Sequence, residues 1–193
     1  MTPSRSAPEG RRPRVDGQRN RALLLAAAQD VFGRLGPDAP FDEVARQAGV
    51  GNATLYRHFP TRGDLIVAVY AEEVAELCRY GDELGGAPDP AAALFDWLRA
   101  FVSHVADKRG LALAIADDHE GTRSTLYDEW HRAMLRTASA LLERAQKAGA
   151  VRAGIDPADL LVLANGIALS RPDADQAGRL LGVLRHGVAA AAE

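Results

Sequence analysis

The chain has 193 residues, a length that suits one medium domain or a small domain joined to a larger one. Hydrophobic residues make up 47% of it and aromatics only 6%, which excludes global disorder and favours helices over strands. The net charge of −3 hides an asymmetry: residues 1–62 hold ten basic and six acidic side chains, and the remainder thirteen and twenty. A basic head on an acidic body suits a first third that meets phosphate. The single cysteine, Cys78, excludes an intrachain disulfide framework and a zinc site built on several cysteines.

Residues 1–17 are rich in Arg, Pro, Ser and Gly and read as a flexible basic arm. Either it is a plain tail, or Arg11, Arg12 and Arg14 touch phosphate. No apolar h-region follows the basic start, and the longest apolar run, Leu160 to Leu169, is about half a membrane span. A cytoplasmic location is the expectation.

From Gln18 the pattern turns helical. Leu24, Ala28, Val31, Phe32 and Leu35 recur at three- and four-residue spacing, and Gly36 can close the helix. Phe41, Val44, Ala45 and Ala48 mark a second, short helix ended by Gly49. A third starts near Asn52 and stops at Phe59, because Pro60 disfavours helix at the residue before it. A fourth covers about 62–80. Asp89-Pro90 is an N-cap followed by proline at the first helical position, and it opens a fifth. Leu111 to Ile115 suggests a sixth, about 122–148 a seventh, and Asp156-Pro157 opens an eighth. A ninth follows Pro172. The expected fold is all-α, with about nine helices: a three-helix N-terminal domain over residues 18–62, the fourth helix as connector, and a helical bundle within 63–193.

The segment from Phe41 to Phe59 carries the chemistry. Two short helices meet at a glycine turn, with Val44, Ala45, Val50, Leu55 and Phe59 placed to pack. That is the logic of a helix-turn-helix. The second helix then offers Asn52, Thr54, Tyr56, Arg57 and His58, a polar surface that can enter a major groove.

The run Gly49-Val50-Gly51-Asn52-Ala53-Thr54-Leu55-Tyr56-Arg57-His58-Phe59, with Phe32 and Gly36 upstream and Arg62 and Leu65 downstream, resembles the N-terminal domain of TetR-family regulators. The likeness covers about residues 18–70. It implies a DNA-binding transcriptional regulator, a repressor released by a small hydrophobic effector, acting as a homodimer on a pseudo-palindromic operator. By the resemblance, Thr54, Tyr56 and His58 contact DNA, the last two near the phosphates. Asn52 and Ala53 stand where base edges are met, and Arg57 either reads guanine or pins a phosphate. Arg62 stands where the family prefers Lys and can hold a phosphate. One departure is Pro40-Phe41, where the family often starts its second helix with Thr-Thr or Ser-Thr; a side-chain cap is missing.

The resemblance also gives the body its roles. Trp97, Phe101, His104, Tyr127, Trp130, His131 and Met134 either line an effector cavity or fill an ordinary core. Leu160, Leu163, Ile167, Leu180, Leu181, Leu184 and Val188, on the last two helices, are the expected dimer interface. Asp117-Asp118-His119-Glu120 invites a metal reading, but position 123 is Arg where a zincin needs a second His; a hydrated loop is expected, with no metal and no cofactor. No phosphate loop or nucleophile elbow occurs, so an enzyme is not expected. The alternative is a helical ligand-binding or protein-interaction module without DNA readout.

Overall fold

The computed structural model describes residues 12–116, 121–170 and 172–189. Arg11 and Asp117 to Glu120 lie outside these. The described residues form eight helices: α1 (Arg12–Leu35), α2 (Phe41–Ala48), α3 (Asn52–His58), α4 (Arg62–Leu84), α5 (Pro90–Ala116), α6 (Gly121–Lys147), α7 (Pro157–Leu169) and α8 (Ala174–Val188). Among them the only sheet-like pairing is an isolated antiparallel bridge, Val151 with Ala189.

Three boundaries differ from those read off the periodicity, the smallest being that α4 runs on to Leu84 rather than ending at about 80. α1 begins at Arg12, so residues 12–17 are helical rather than part of an arm. Pro13 falls in the first turn, where its missing N–H costs no helical hydrogen bond. The apolar stretch from Leu111 to Ile115 is not a separate sixth helix but the end of α5. Gly110 is the one weak residue before it, and a lone interior glycine costs only about 1 kcal/mol relative to alanine. With no proline or cap to stop the ladder, the helix runs on.

The chain divides into two compact units, Met1–Val69 and Tyr70–Glu193. In the first, Leu24, Ala28 and Val31 of α1 are buried together with Val44 and Ala45 of α2, Leu55 of α3 and Leu65 of α4. α2 and α3 are too short to be stable alone, so this shared apolar face holds them. A side-chain network ties α1 to α2 across the surface: Arg34 donates to both Asp30 and Gln47, and Gln47 donates to Asp30. The hydrogen bond from Gln47 does most to hold the Asp30 carboxyl below its ordinary range; burial opposes it, and the Arg34 guanidinium adds to the lowering.

In the second unit α5 packs against α6, α7 and α8. Trp97, Leu94 and Leu98 of α5 are fully buried, as are Leu142 of α6 and Leu160 of α7. The Trp97 indole N–H donates to the Leu77 carbonyl at 3.0 Å. Gly81 lets α4 approach closely: a Cβ there would stand 2.1 Å from Thr137 Cγ2 and 3.0 Å from Trp97 Nε1. Helix starts follow the capping rules. Asp89 accepts from Ala92 N, Asp156 from Ala158 N ahead of Pro157, and Asp173 from Gln176 N. The Asp173 cap, hidden behind Pro172, was not read from the sequence. No helix of the described residues is long and apolar enough to cross a membrane.

Candidate nucleic-acid interface

The turn between α2 and α3 depends on Gly49, whose φ of 67° lies in the left-handed region. A side chain there would crowd the backbone, and glycine avoids that strain. The turn carries its own hydrogen bonds, Gly49 N to Arg46 O and Val50 N to Ala45 O. Thr54 N then donates to Gly51 O, which opens α3. α2 starts at Pro40 with no side-chain cap, in line with the missing Thr or Ser.

α3 buries only Leu55. Phe59, just past its end, is buried as well, and Val50 is half-buried. Asn52, Ala53, Tyr56 and Arg57 are exposed, and Thr54 and His58 are half-buried. Six of the seven expected contact residues therefore share one short helix with a single inward anchor; the seventh, Arg62, opens α4. Their outward atoms are partly preset. Asn52 Nδ2 donates to Asp42 Oδ1 at 2.9 Å, across the turn. Arg57 Nη2 donates to Thr54 Oγ1 at 3.1 Å, which holds both side chains on one face.

Tyr56, half exposed, lays its ring against Phe41 with centroids 5.5 Å apart. Arg62 completes this corner. Its guanidinium lies over the other reach of Phe41, 5.0 Å from the ring centroid. Its Nη1 donates to the carbonyls of Pro37 at 2.8 Å and Ala39 at 2.5 Å. Both acceptors sit in a loop poor in N–H donors, since Pro37 and Pro40 have none; leaving a buried carbonyl unmet costs about 1–3 kcal/mol. Pro40, Phe41, Asp42, Tyr56 and Arg62 line a cavity of about 310 Å³. Arg21 stacks similarly over Phe59, 5.5 Å from its centroid. Arg46 pairs with Glu43 at 2.6 Å, and that hydrogen bond chiefly lowers the Glu43 carboxyl. Sequence reasoning missed the contacts that Asp42, Arg21 and Arg62 make. The cross-turn and cross-loop pairings leave no periodic signal.

The expected pocket residues of the body fall into groups. Trp97 and Phe101 are buried and stacked, with centroids 5.7 Å apart. His104 and Trp130, also buried, both meet Tyr70, at 5.5 and 4.9 Å. Met134 is buried. Tyr127 is half-buried and meets the exposed His131 at a tilt, with centroids 4.0 Å apart. Tyr70 and the buried Glu73, one turn apart on α4, were not foreseen. Burial chiefly pushes the Tyr70 phenol up, and Tyr127 and Glu73 add to the shift. Among the described residues no three His, Cys, Asp or Glu side chains are grouped to hold a metal ion.

The residues expected at a dimer interface also separate. Leu160, Leu181 and Val188 are buried within the subunit. Ile167 and Leu184 are half-buried, while Leu163 and Leu180 are exposed. Val162 and Val183, which the sequence reading passed over, are the most exposed large apolar residues among those described, at 68% and 72%. A groove of about 460 Å³ runs between α7 and α8, with Leu160, Leu163, Val183 and Val188 among its lining.

Residues 24–69 match the family described as bacterial regulatory proteins, tetR family. Residues 89–190 match the SbtR-like transcriptional regulator C-terminal domain. A TetR transcriptional regulator from Streptomyces coelicolor is 38% identical, with a TM-score of 0.76 over 89% of this chain and 99% of that one. A TetR regulatory protein from Mycobacterium vanbaalenii is 36% identical, with a TM-score of 0.73 over 91% of this chain and 98% of that one. A TetR-family regulator from Agrobacterium tumefaciens is 21% identical, covers 90% of this chain and 100% of its own, and has a TM-score of 0.70, which speaks for the fold alone.

Proposed function

The chain belongs to the TetR family of bacterial regulators, and from that premise we propose that it works as a homodimeric repressor, inserting α3 into the major groove of a pseudo-palindromic operator and letting go when a small apolar effector enters its helical bundle. As a family member it is a DNA-binding transcriptional regulator and not an enzyme.

The observation that carries the DNA part is the sidedness of α3. One leucine anchors it, and every other residue from Asn52 to His58 is exposed or half-exposed. In this reading Asn52, Ala53, Thr54, Tyr56, Arg57 and His58 face the groove and its phosphates, with Arg62 at the edge of the same surface. Asn52 can pair with adenine, and Arg57 with guanine or a phosphate. α1–α3 form the DNA-binding domain, and the helices beyond α4 serve the effector and the dimer, all in the cytoplasm.

For the dimer, the support is the unpartnered apolar face of α7 and α8. Val162, Leu163 and Leu169 on one helix and Leu180 and Val183 on the other stand out from the subunit. Two such helices from each subunit make a four-helix interface, and a two-fold axis presents paired reading heads. For the effector, the support is the meeting of aromatic surface with buried polar groups at Tyr70, Glu73, His104 and Trp130.

The test is selection of binding duplexes from a random-sequence 30-bp library with the full chain. The expected product is an inverted repeat bound with a steep salt dependence. Tyr56→Ala should weaken that binding at least about tenfold, equivalent to about 1.4 kcal/mol. No enrichment at low salt would leave a helical ligand-binding or protein-interaction module in place of a DNA reader.

A further inference from the structure

We propose that Arg62 is a positioning residue, a strut that sets the seat of the recognition helix through Phe41, rather than a phosphate contact. The inference rests on the reading of α3 as the DNA-contacting helix.

A phosphate contact needs a cation turned to solvent. Arg62 is half-buried, and its guanidinium is turned to its own subunit. Nη1 reaches two backbone carbonyls, Pro37 O and Ala39 O, 25 and 23 residues back along the chain. The guanidinium plane lies over the Phe41 ring, which in turn meets the Tyr56 ring on α3. Loop, α2, α3 and the first turn of α4 are thus joined at one side chain.

The sequence around α2 explains the need. Pro40 stands at its N-cap and supplies no side-chain acceptor, so the helix lacks the local device that usually fixes its entry. The loop before it, Pro37-Asp38-Ala39-Pro40, can donate little to satisfy its own carbonyls. Arg62 makes up both deficits from outside. Its Nη1 meets the two carbonyls while the guanidinium lies over the ring at the first position of the helix. An ammonium is a compact point charge: drawn onto the carbonyls, it has no second part to lay over the ring. Lysine at this position would keep the charge and lose the strut.

The foot of α4 is prepared for the role. Thr61 and Asp64 cap the helix reciprocally, Thr61 N donating to Asp64 Oδ2 at 2.9 Å and Asp64 N to Thr61 Oγ1 at 3.1 Å. Arg62, between them, leaves from a fixed backbone.

The experiment compares wild type, Arg62→Lys, Arg62→Ala and Phe41→Leu as full chains. Two duplexes are used: the one that the wild type selects from a random 30-bp library, and a scrambled version of it. A strut acts on specific seating. All three variants should lose about tenfold or more in affinity for the selected duplex, Arg62→Lys as much as Arg62→Ala. Affinity for the scrambled duplex and the slope of log K against log salt should stay at the wild-type values, because phosphate contacts position without carrying sequence. A phosphate contact predicts the reverse: Arg62→Lys close to wild type, and Arg62→Ala weaker on both duplexes with a slope shallower by about one. That result, or two Arg62 variants that bind like the wild type, overturns the proposal.

Hydrogen exchange of the free proteins gives a readout that needs no DNA. Amides of residues 38–44 should exchange faster in both Arg62 variants; unchanged exchange there overturns the strut as well. If the wild type selects no duplex, the DNA reading fails, and exchange alone still decides what Arg62 does. Phe41→Leu keeps an apolar side chain in the core and removes the ring, so it tests the same link should an Arg62 variant fold poorly.

Discussion

The two compact units place their polar chemistry in opposite directions. In the first, the interior is apolar and the hydrogen-bonding side chains point out. Asn52, Arg57 and Tyr56 are exposed, and each is steadied by one neighbour, Asp42, Thr54 or Phe41. In the second, polar groups are drawn inward: Glu73 and His104 are buried, and the Tyr70 ring packs between His104 and Trp130. Buried polar groups of this kind need partners inside the fold, so their chemistry is directed inward rather than at solvent. An outward array suits a partner with its own dense pattern of donors and acceptors, such as a base-pair edge. An inward one suits a small guest.

The largest test of this contrast is at Trp97. It is the largest fully buried side chain among the described residues, and its indole N–H donates to the Leu77 carbonyl. Trp97→Ala should lower unfolding free energy by about 3–5 kcal/mol in a urea titration. A loss below about 1 kcal/mol would mean that the bundle is far looser than its burial indicates. The next test is at the outer face of α8. Val183 is 72% exposed, so Val183→Glu should leave helix content and melting of the fold nearly unchanged. If α7 and α8 pair across a two-fold axis, the charge should raise the dimer dissociation constant at least about tenfold in sedimentation, equivalent to about 1.4 kcal/mol. An unchanged dimer would move the interface elsewhere.

How much of this could be read in advance follows from where each signal lives. The helix-turn-helix was legible because its constraints are local. Gly49 must take a left-handed φ, and Leu55 and Phe59 sit one turn apart on the inward side. The last two helices were legible as helices but not by face. α7 reads Leu160-Leu161-Val162-Leu163-Ala164, apolar on every side, so periodicity cannot tell Leu160, which is buried, from Val162, which is not. The partners of Arg62 were invisible for another reason. They are backbone carbonyls more than twenty residues away, and carbonyls carry no letter in the sequence. Tyr70 and Glu73 carry no motif; the rings of His104 and Trp130 against Tyr70, and the burial of Glu73 one turn on, are what single them out.

The smallest effect expected is also the most direct probe of the inward chemistry. The Tyr70 phenol is pushed up chiefly by burial, then by Tyr127 and Glu73, whose negative charges would stand near a phenolate. The folded chain therefore favours the neutral phenol more strongly than the unfolded chain does. The stability that follows is complete below the ordinary tyrosine range, about pH 10. It is lost as pH rises above that, because the unfolded chain then gains free energy by ionising while the folded one does not. Tyr70→Phe removes this contribution. Its stability should decline less steeply than that of the wild type above about pH 10, and its ultraviolet titration should lack a late phenolate that the wild type shows only on unfolding. Were the folded wild type to show one phenolate more than folded Tyr70→Phe near the ordinary tyrosine range, about pH 10, Tyr70 would be open to water. The contrast between an outward head and an inward body would then lose its chemical basis.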